Sequence, residues 1–279
     1  MSGTPDGSYM PEKLPYWAGD GIDPTVPSLA RMYDYSLGGG NNFAVDRELA
    51  EAYQKRWPHM FHAARSNRAF LRRVVGYLLD QGVRQFLDIG SGIPTAGNVH
   101  EVIIDAGAAN DVQLIYVDID PIALIMSHRL LTDVGWAHAV RGDASNIDGI
   151  LTDPEVTERL DFTRPVAVLM LLMLHAVPGP AQSLLAGLPE RLSVGSYLAV
   201  SNSAPSDSYP PDELAEWLAM GARTVTPTVA RTSAEIAAFF DGFELVEPGL
   251  VPLPLWRPEP GQETTSFWYD AVGGVSVKL

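Results

Sequence analysis

Gln85-Phe86-Leu87-Asp88-Ile89-Gly90-Ser91-Gly92-Ile93-Pro94-Thr95-Ala96-Gly97-Asn98-Val99-His100 joins a short apolar run to a glycine turn and then to a helical pattern from Ala96. This order reads as a buried strand, a tight turn and a helix, the opening of an α/β nucleotide-type site. Gly90 and Gly92 lack Cβ atoms, so the backbone there can turn sharply and admit a ligand closely. A helix N-terminus after the turn offers unpaired N–H groups. A structural turn with no ligand is the plain alternative.

The residues around the turn narrow the choice of ligand. A Gly-x-Gly-x-x-Gly dinucleotide fingerprint needs glycine where Thr95 stands, and Gly97 comes two places late. Asp88, near the strand's end, would repel a pyrophosphate. S-adenosylmethionine (SAM) has no phosphate and carries a sulfonium and an ammonium group, which suit a carboxylate at that place.

Two further strands also end in acids. Gln113-Leu114-Ile115-Tyr116-Val117-Asp118 closes on a carboxylate placed to accept hydrogen bonds from ribose hydroxyls, and Asp120-Pro121 then caps a new helix. Trp136 to Arg141 reads as a third strand, and Gly142-Asp143-Ala144-Ser145 follows it. Asp143 is placed either to meet an adenine amino group or simply to form a turn. Pro165 to Leu172 is a continuous apolar run, the mark of a central parallel strand, with His175 beyond its end. A fifth strand is expected over Gly195 to Ser201, and closing strands over Phe243 to Glu247 and Ser266 to Val272. Helices are expected over Ala181 to Leu192, Asp212 to Met220 and Ser233 to Phe240.

Ahead of this core, Met1 to Pro24 is rich in Gly, Pro, Asp and Ser and reads as a loosely docked arm, with Tyr16 and Trp17 as its anchors. Ser28 is placed to cap a short helix, Gly38 to Asn42 form a loop, and Asp46 to Arg56 reads as helix. Phe61 to Leu79 has amphipathic spacing and carries Arg65, Arg68 and Arg72 on one face. That stripe is either solvated surface or a receiver for an anionic substrate or the methionine carboxylate of SAM. The segment has two readings: a helical hairpin packed on the domain, or a lid with Tyr35 and Arg68 reaching the cofactor. The division expected is an arm over 1–24, a lid or substrate segment over 25–82 and a Rossmann-like core over 83–279.

The chain has 279 residues, 34 acidic against 19 basic side chains, a formal charge of -15 and no cysteine. Such an acidic balance opposes a general nucleic-acid grip, which needs clustered Lys and Arg. Without cysteine there are neither disulfides nor thiolate metal sites. No apolar run reaches the ~20 residues that span a bilayer, and no leader pattern opens the sequence, so a cytoplasmic protein without membrane or nucleic-acid partners is expected. His59 and His62 have a metal-like spacing but no convincing companions, so no metal site is assigned.

The order and spacing of Asp88, Asp118 and Asp143 resemble the class I SAM-dependent methyltransferases. The chain resembles more closely an actinobacterial S-adenosyl methyltransferase family. The likeness lies at Pro27-Ser28-Leu29-Ala30-Arg31-Met32-Tyr33-Asp34-Tyr35 with Leu37-Gly38-Gly39, at Asn67-Arg68-Ala69-Phe70-Leu71-Arg72-Arg73, at Gln85 to Thr95 and at Leu174-His175-Ala176-Val177-Pro178. Ser36 and the residues after Gly39 depart from the family's usual pattern.

The resemblance implies an α/β fold: a seven-stranded, mostly parallel Rossmann-like sheet with helices on both faces and an antiparallel last strand. It also implies a cofactor site over Asp88, Gly90, Ser91, Gly92, Asp118, Ile119, Asp143, Ala144 and Leu172. SAM would donate its methyl group to a small-molecule acceptor, with His175 as the candidate general base. A SAM-binding sensor without transfer activity and a nicotinamide-dependent oxidoreductase are the two alternatives.

Overall fold

Runs of five to seven residues become six strands of one sheet, with two short pieces added at its edge, and their two-residue period sorts side chains onto its two faces. The computed structural model describes residues 22–58, 60–259, 261 and 271–279. Its strands are β1 (Gln85–Ile89), β2 (Gln113–Asp118), β3 (Ala137–Arg141), β4 (Ala167–Leu171), β5 (Tyr197–Ser203), β6 (Glu244–Leu245), β7 (Val251–Pro252) and β8 (Ala271–Val277). They lie in the order β3-β2-β1-β4-β5-β8-β6, with β7 also on β8. β1 to β5 are parallel, and β8 runs antiparallel to β5. The strand order reverses between β1 and β4, so a crevice opens at their carboxyl ends.

Each face has its own core. Phe86, Leu114, Leu169 and Ala199 pack against α3 (Met60–Asp80) and α4 (Val99–Asp105), which follow α1 (Leu29–Ser36) and α2 (Ala44–Arg56) in the chain. Leu87, Ile115, Val168, Met170 and Val200 meet the short helical pieces between residues 147 and 192, with Ile236 and Phe239. α3 supplies Phe70, Leu71, Val74, Val75 and Leu78 to the first core, so its apolar stripe is part of the sheet's own cover.

The N-terminal helices are held by two buried carboxylates. Asp46 pairs with Arg31 at 2.7 Å and accepts the backbone N–H groups of Ser28 and Phe43, each at 2.8 Å. Asp34 accepts from Thr95 Oγ1 at 2.6 Å and from Asn41 N and Asn42 Nδ2, each at 2.8 Å. A Cβ on Gly39 would fall 2.0 Å from an Asp34 oxygen, so only glycine fits there. The glycine–asparagine loop is therefore wound around Asp34 and tied to the segment after the β1 turn.

Several boundaries differ from expectation. α4 begins at Val99, because Gly97 sits at φ +64 and Asn98 with Glu101 forms a capping box. Ser28 occupies the N-cap of α1, but its side chain makes no capping bond and lies 3.4 Å from Asp120. The helix expected over Ala181 to Leu192 is two pieces, Ala181–Leu184 and Leu188–Arg191, separated around Gly187. The closing strand is β8, described over Ala271–Val277 where Ser266 to Val272 was expected, and it passes through Gly273. A Cβ there would meet Leu253 at 2.7 Å and Phe70 at 3.0 Å, so close packing requires this strand glycine. β7 was not anticipated. Positions 1–21 of the expected arm, with Tyr16 and Trp17, lie outside the described residues, as do His59 and positions 266–270.

Asp46→Ala should be among the costliest single changes in the N-terminal segment. It leaves Arg31 as a buried, unpaired cation and should cost about 3–5 kcal/mol in urea unfolding. Thr95→Ala, which removes the 2.6 Å hydrogen bond to the Asp34 carboxylate, should cost about 1.5–3 kcal/mol.

Candidate active site

On parallel strands in register, side chains opposite one another share a face. Asp88 stands opposite Tyr116, and Asp88, Tyr116 and Asp118 therefore all project to the side covered by α3. That parity brings two carboxylates together at the carboxyl edge of β1 and β2, under the arginine-bearing helix.

Asp118 organises the glycine turn. Its Oδ2 accepts from Gly92 N at 2.7 Å and its Oδ1 from Asp120 N at 2.8 Å. Gly90 and Gly92 sit at φ +71 and +70, the left-handed region that glycine tolerates best. Gly90 N and Ser91 N both donate to Val117 O, at 2.7 and 3.2 Å. A Cβ on Gly90 would lie 2.8 Å from the Met173 side chain, so Met173 closes over the turn from the end of β4. Asp120 caps helix α5 (Pro121–Leu130) by accepting from Ile122 N at 2.7 Å, so the two neighbouring acids have separate tasks.

Burial lifts the Asp88 carboxyl to about 7; Arg68 opposes the rise and the Asp118 charge adds to it. Burial likewise raises Asp118 to about 6 against the pull of its backbone donors. Both are acids whose ionisation the folded chain resists unless cations arrive.

The other expected positions fall as follows. Ile119 is 52% exposed at the end of β2, an uncovered apolar side chain at the carboxyl edge. Asp143 is exposed and uses Oδ1 to accept from Ser145 N at 2.8 Å, so it forms the local turn. Ala144 is half-buried beside it. Leu172 is held at φ +56 immediately after β4, with its N–H donating to Ser201 O at 2.9 Å. Such a backbone marks a position that its surroundings over-determine.

Two expectations need correction. Tyr35 donates to Glu51 at 2.7 Å and packs edge-on against Phe61, so its hydroxyl and ring are engaged among α1, α2 and α3. The aromatic beside Arg68 is Tyr33, with the guanidinium 5.3 Å from its ring centroid. His175 is a poor base here. Burial, with Arg231 nearby, holds its imidazole down at about 4, so it is neutral and weakly basic at pH 7. Its Nδ1 has no hydrogen-bond partner among the described residues.

A buried polar chain was missed by the sequence reading. Ser201 Oγ donates to Asn67 Oδ1 at 2.7 Å, Asn67 Nδ2 donates to the Tyr33 hydroxyl at 3.1 Å, and that hydroxyl donates to Ala64 O at 3.2 Å. It fixes α1 and α3 to the end of β5. Its one sequence signal is Asn67, a polar residue on the stripe that otherwise buries Leu71, Val74 and Leu78. Arg68, next in line, has a buried Nε with no partner among the described residues. Between α3 and the loop before α4 lies a cavity of about 330 Å³, whose walls include Arg65, Arg68, Arg72, Arg73, Gly97 and Glu259.

With this geometry in view, the comparisons decide the class. A family described as S-adenosyl methyltransferase matches residues 15–279. The chain belongs to the S-adenosyl methyltransferase family. Membership makes it a SAM-dependent methyltransferase with SAM as cofactor, and the nicotinamide alternative is set aside. A candidate methyltransferase of Thermobifida fusca has a similar structure, with 33% identity and a TM-score of 0.86, over 95% of this chain and 99% of that one. A DUF574 family protein of Streptomyces avermitilis shares 36% identity with a TM-score of 0.83, over 92% of this chain and 99% of that one. No curated protein matches the chain significantly. Among the described residues, no helix is long and apolar enough to cross a membrane.

The raised Asp88 has a definite effect on stability. Below its ordinary value of 3.8 the group is protonated in folded and unfolded chains alike and contributes nothing. From there up to about 7 the unfolded chain ionises first, so stability falls as pH rises, by about 1.4 kcal/mol for each pH unit. Asp88→Asn should therefore gain on the parent chain between pH 4 and pH 8 in urea midpoints, and a constant difference across that range would contradict the assignment.

Proposed function

We propose that the enzyme transfers the methyl group of SAM to a small-molecule acceptor at the carboxyl edge of β1, β2 and β4. One observation carries the reading: two buried carboxylates, Asp88 and Asp118, meet a left-handed glycine turn directly below an arginine whose Nε has no partner among the described residues. SAM carries two cationic groups and one carboxylate, and these residues fit it.

In this reading Asp118 accepts the ribose hydroxyls while continuing to hold Gly92 and Asp120 by their N–H groups. Ile119 and Ala144 offer apolar contact to adenine, and the free oxygen of Asp143 accepts from its amino group. Gly90, Ser91 and Gly92 allow the backbone to approach the methionine portion. Asp88 faces the ammonium group, Arg68 the carboxylate, and Leu172 shapes the wall from β4. Tyr33 stacks on Arg68 and fixes its direction.

When bound, SAM supplies an activated methyl group, and the protein's work is alignment and exclusion of water. The half-buried, weakly basic His175 is assigned a positioning role rather than proton abstraction. Acceptors with an unprotonated nucleophile near neutral pH suit such a site best. The segment 25–82 serves as the acceptor-side wall, fastened through Asp34 and Thr95 rather than swinging on its glycines.

SAM and S-adenosylhomocysteine should each raise the melting temperature with one site per chain, and NAD should not. Asp118→Ala should weaken SAM by about ten- to a hundredfold, in keeping with about 1.5–3 kcal/mol for hydrogen bonds to a charged group. Affinity should also drop as pH falls from 8 to 5, because protonated Asp88 and Asp118 no longer attract the cationic groups. Calorimetry showing a pH-independent affinity would reject the carboxylate assignment. Transfer itself is tested with methyl-labelled SAM and fractionated small-molecule extracts, a labelled low-mass product being the expected result.

A further inference from the structure

Beside the carboxyl edge of β1 and β2, between α3 and the loop before α4, lies the arginine cavity. Four arginines and one glutamate stand on its walls, in a chain whose acidic side chains outnumber its basic ones by 34 to 19. Such a concentration of one charge is costly unless an opposite charge enters it. Elsewhere on the surface Arg56, Arg84 and Arg191 are each matched by carboxylates, Glu213 and Glu216, Asp111 and Asp148 respectively.

The four arginines differ in what they already do. Arg73 is committed, donating from Nε to Trp256 O at 2.8 Å and from Nη2 to Leu253 O at 2.7 Å, and Glu259 faces it electrostatically. Arg68 lies over Tyr33 and is directed by charge toward Asp88. Arg65 and Arg72 are exposed, and neither makes a hydrogen bond or ion pair among the described residues. They stand seven residues apart, two turns or about 10 Å along α3, with Arg68 between them on the same face. Gly97 closes the far wall, so the cavity opens beside the loop that leaves the glycine turn. At about 330 Å³ the space suits a small ligand or one end of a larger one.

We propose that the methyl acceptor is an anionic small molecule, held through a carboxylate or phosphate group by Arg65 and Arg72 while Arg68 serves the cofactor. The guanidinium fork matches either anion with paired hydrogen bonds, which a lysine would not provide. The division of labour follows from position: Arg68 reaches inward to the buried acids, whereas its two neighbours line the outer part of the cavity. This rests on the reading of the β1–β2 edge as the SAM site.

The test uses the full chain saturated with S-adenosylhomocysteine, so that the cofactor's own carboxylate is already in place. Benzoate and inorganic phosphate are titrated by calorimetry at fixed ionic strength, with benzylamine as the cationic control. The saturated chain should bind at least one of the two anions and not benzylamine, and the anion preferred tells carboxylate from phosphate recognition. Arg65→Ala combined with Arg72→Ala should weaken that binding at least about tenfold, while affinity for S-adenosylhomocysteine and the melting temperature stay within twofold and about 2 °C of the parent.

Absence of anion binding by the saturated chain, or undiminished binding by the double variant, would overturn the proposal. A double variant that loses S-adenosylhomocysteine as well would give these arginines to the cofactor and overturn it too. If the parent chain fails to bind S-adenosylhomocysteine at all, the cofactor reading falls, and the acceptor role falls with it. That failure is visible before any anion is added.

Discussion

The 21 residues of α3 have to bury one apolar stripe on the sheet, and much of the site depends on how that constraint is met. Phe70, Leu71, Val74, Val75 and Leu78 lie against β1, β4, β5 and β8, which fixes the rotation of the helix about its axis. Once the rotation is fixed, Asn67 points into the fold and meets Ser201, and the adjoining face carries Arg65, Arg68 and Arg72 over the carboxyl edge. Hydrophobic packing thus places the charged groups. No interaction among the arginines themselves would hold them together.

The same edge stores unfavourable electrostatics that a ligand can relieve. Two carboxylates raised to about 7 and about 6 by burial are kept there because Asp118 also holds the glycine turn through Gly92. In the proposed SAM site a structural task and a recognition task would share one side chain. The turn, in turn, is fastened to the N-terminal helices through Thr95 and Asp34, so the wall of the crevice and its floor form one hydrogen-bonded unit. The Gly38–Asn42 loop is wound on the same carboxylate: Asp34 accepts the Asn41 backbone N–H and the Asn42 side-chain amide and leaves no space for a Cβ at Gly39.

Family membership fixes the cofactor and the class of reaction, and the particular residues give that class its local character. His175 is the clearest case. Its place after a central parallel strand invites a catalytic role, yet the packing around it removes the basicity that such a role needs. The chemistry left to the protein is alignment, and the cavity beside α3 is where an acceptor would be aligned.

Much of this was determined by the sequence itself. Apolar runs of strand length and the helical spacing in α3 specify five parallel strands and their covering helix, since period and burial are local properties. The three strand-end acids and Gly90-Ser91-Gly92 are legible as a candidate site, because each sits beside a local signal: a run that stops, or a turn that needs glycine. Asp120 is legible as a cap from the proline after it. Only the tertiary structure decided matters that depend on which distant residues meet. It turned Tyr35 to Glu51 and Phe61 and set Tyr33 beside Arg68, since residues two apart on a helix face nearly opposite ways. It placed β8 through Gly273-Gly274, where close neighbours exclude a Cβ and so make glycine a packing residue instead of a stop. It buried the Nδ1 of His175 beside Arg231 and gathered four arginines around one cavity. Periodicity records which face a side chain takes, whereas burial and electrostatics depend on what the rest of the chain brings to that face.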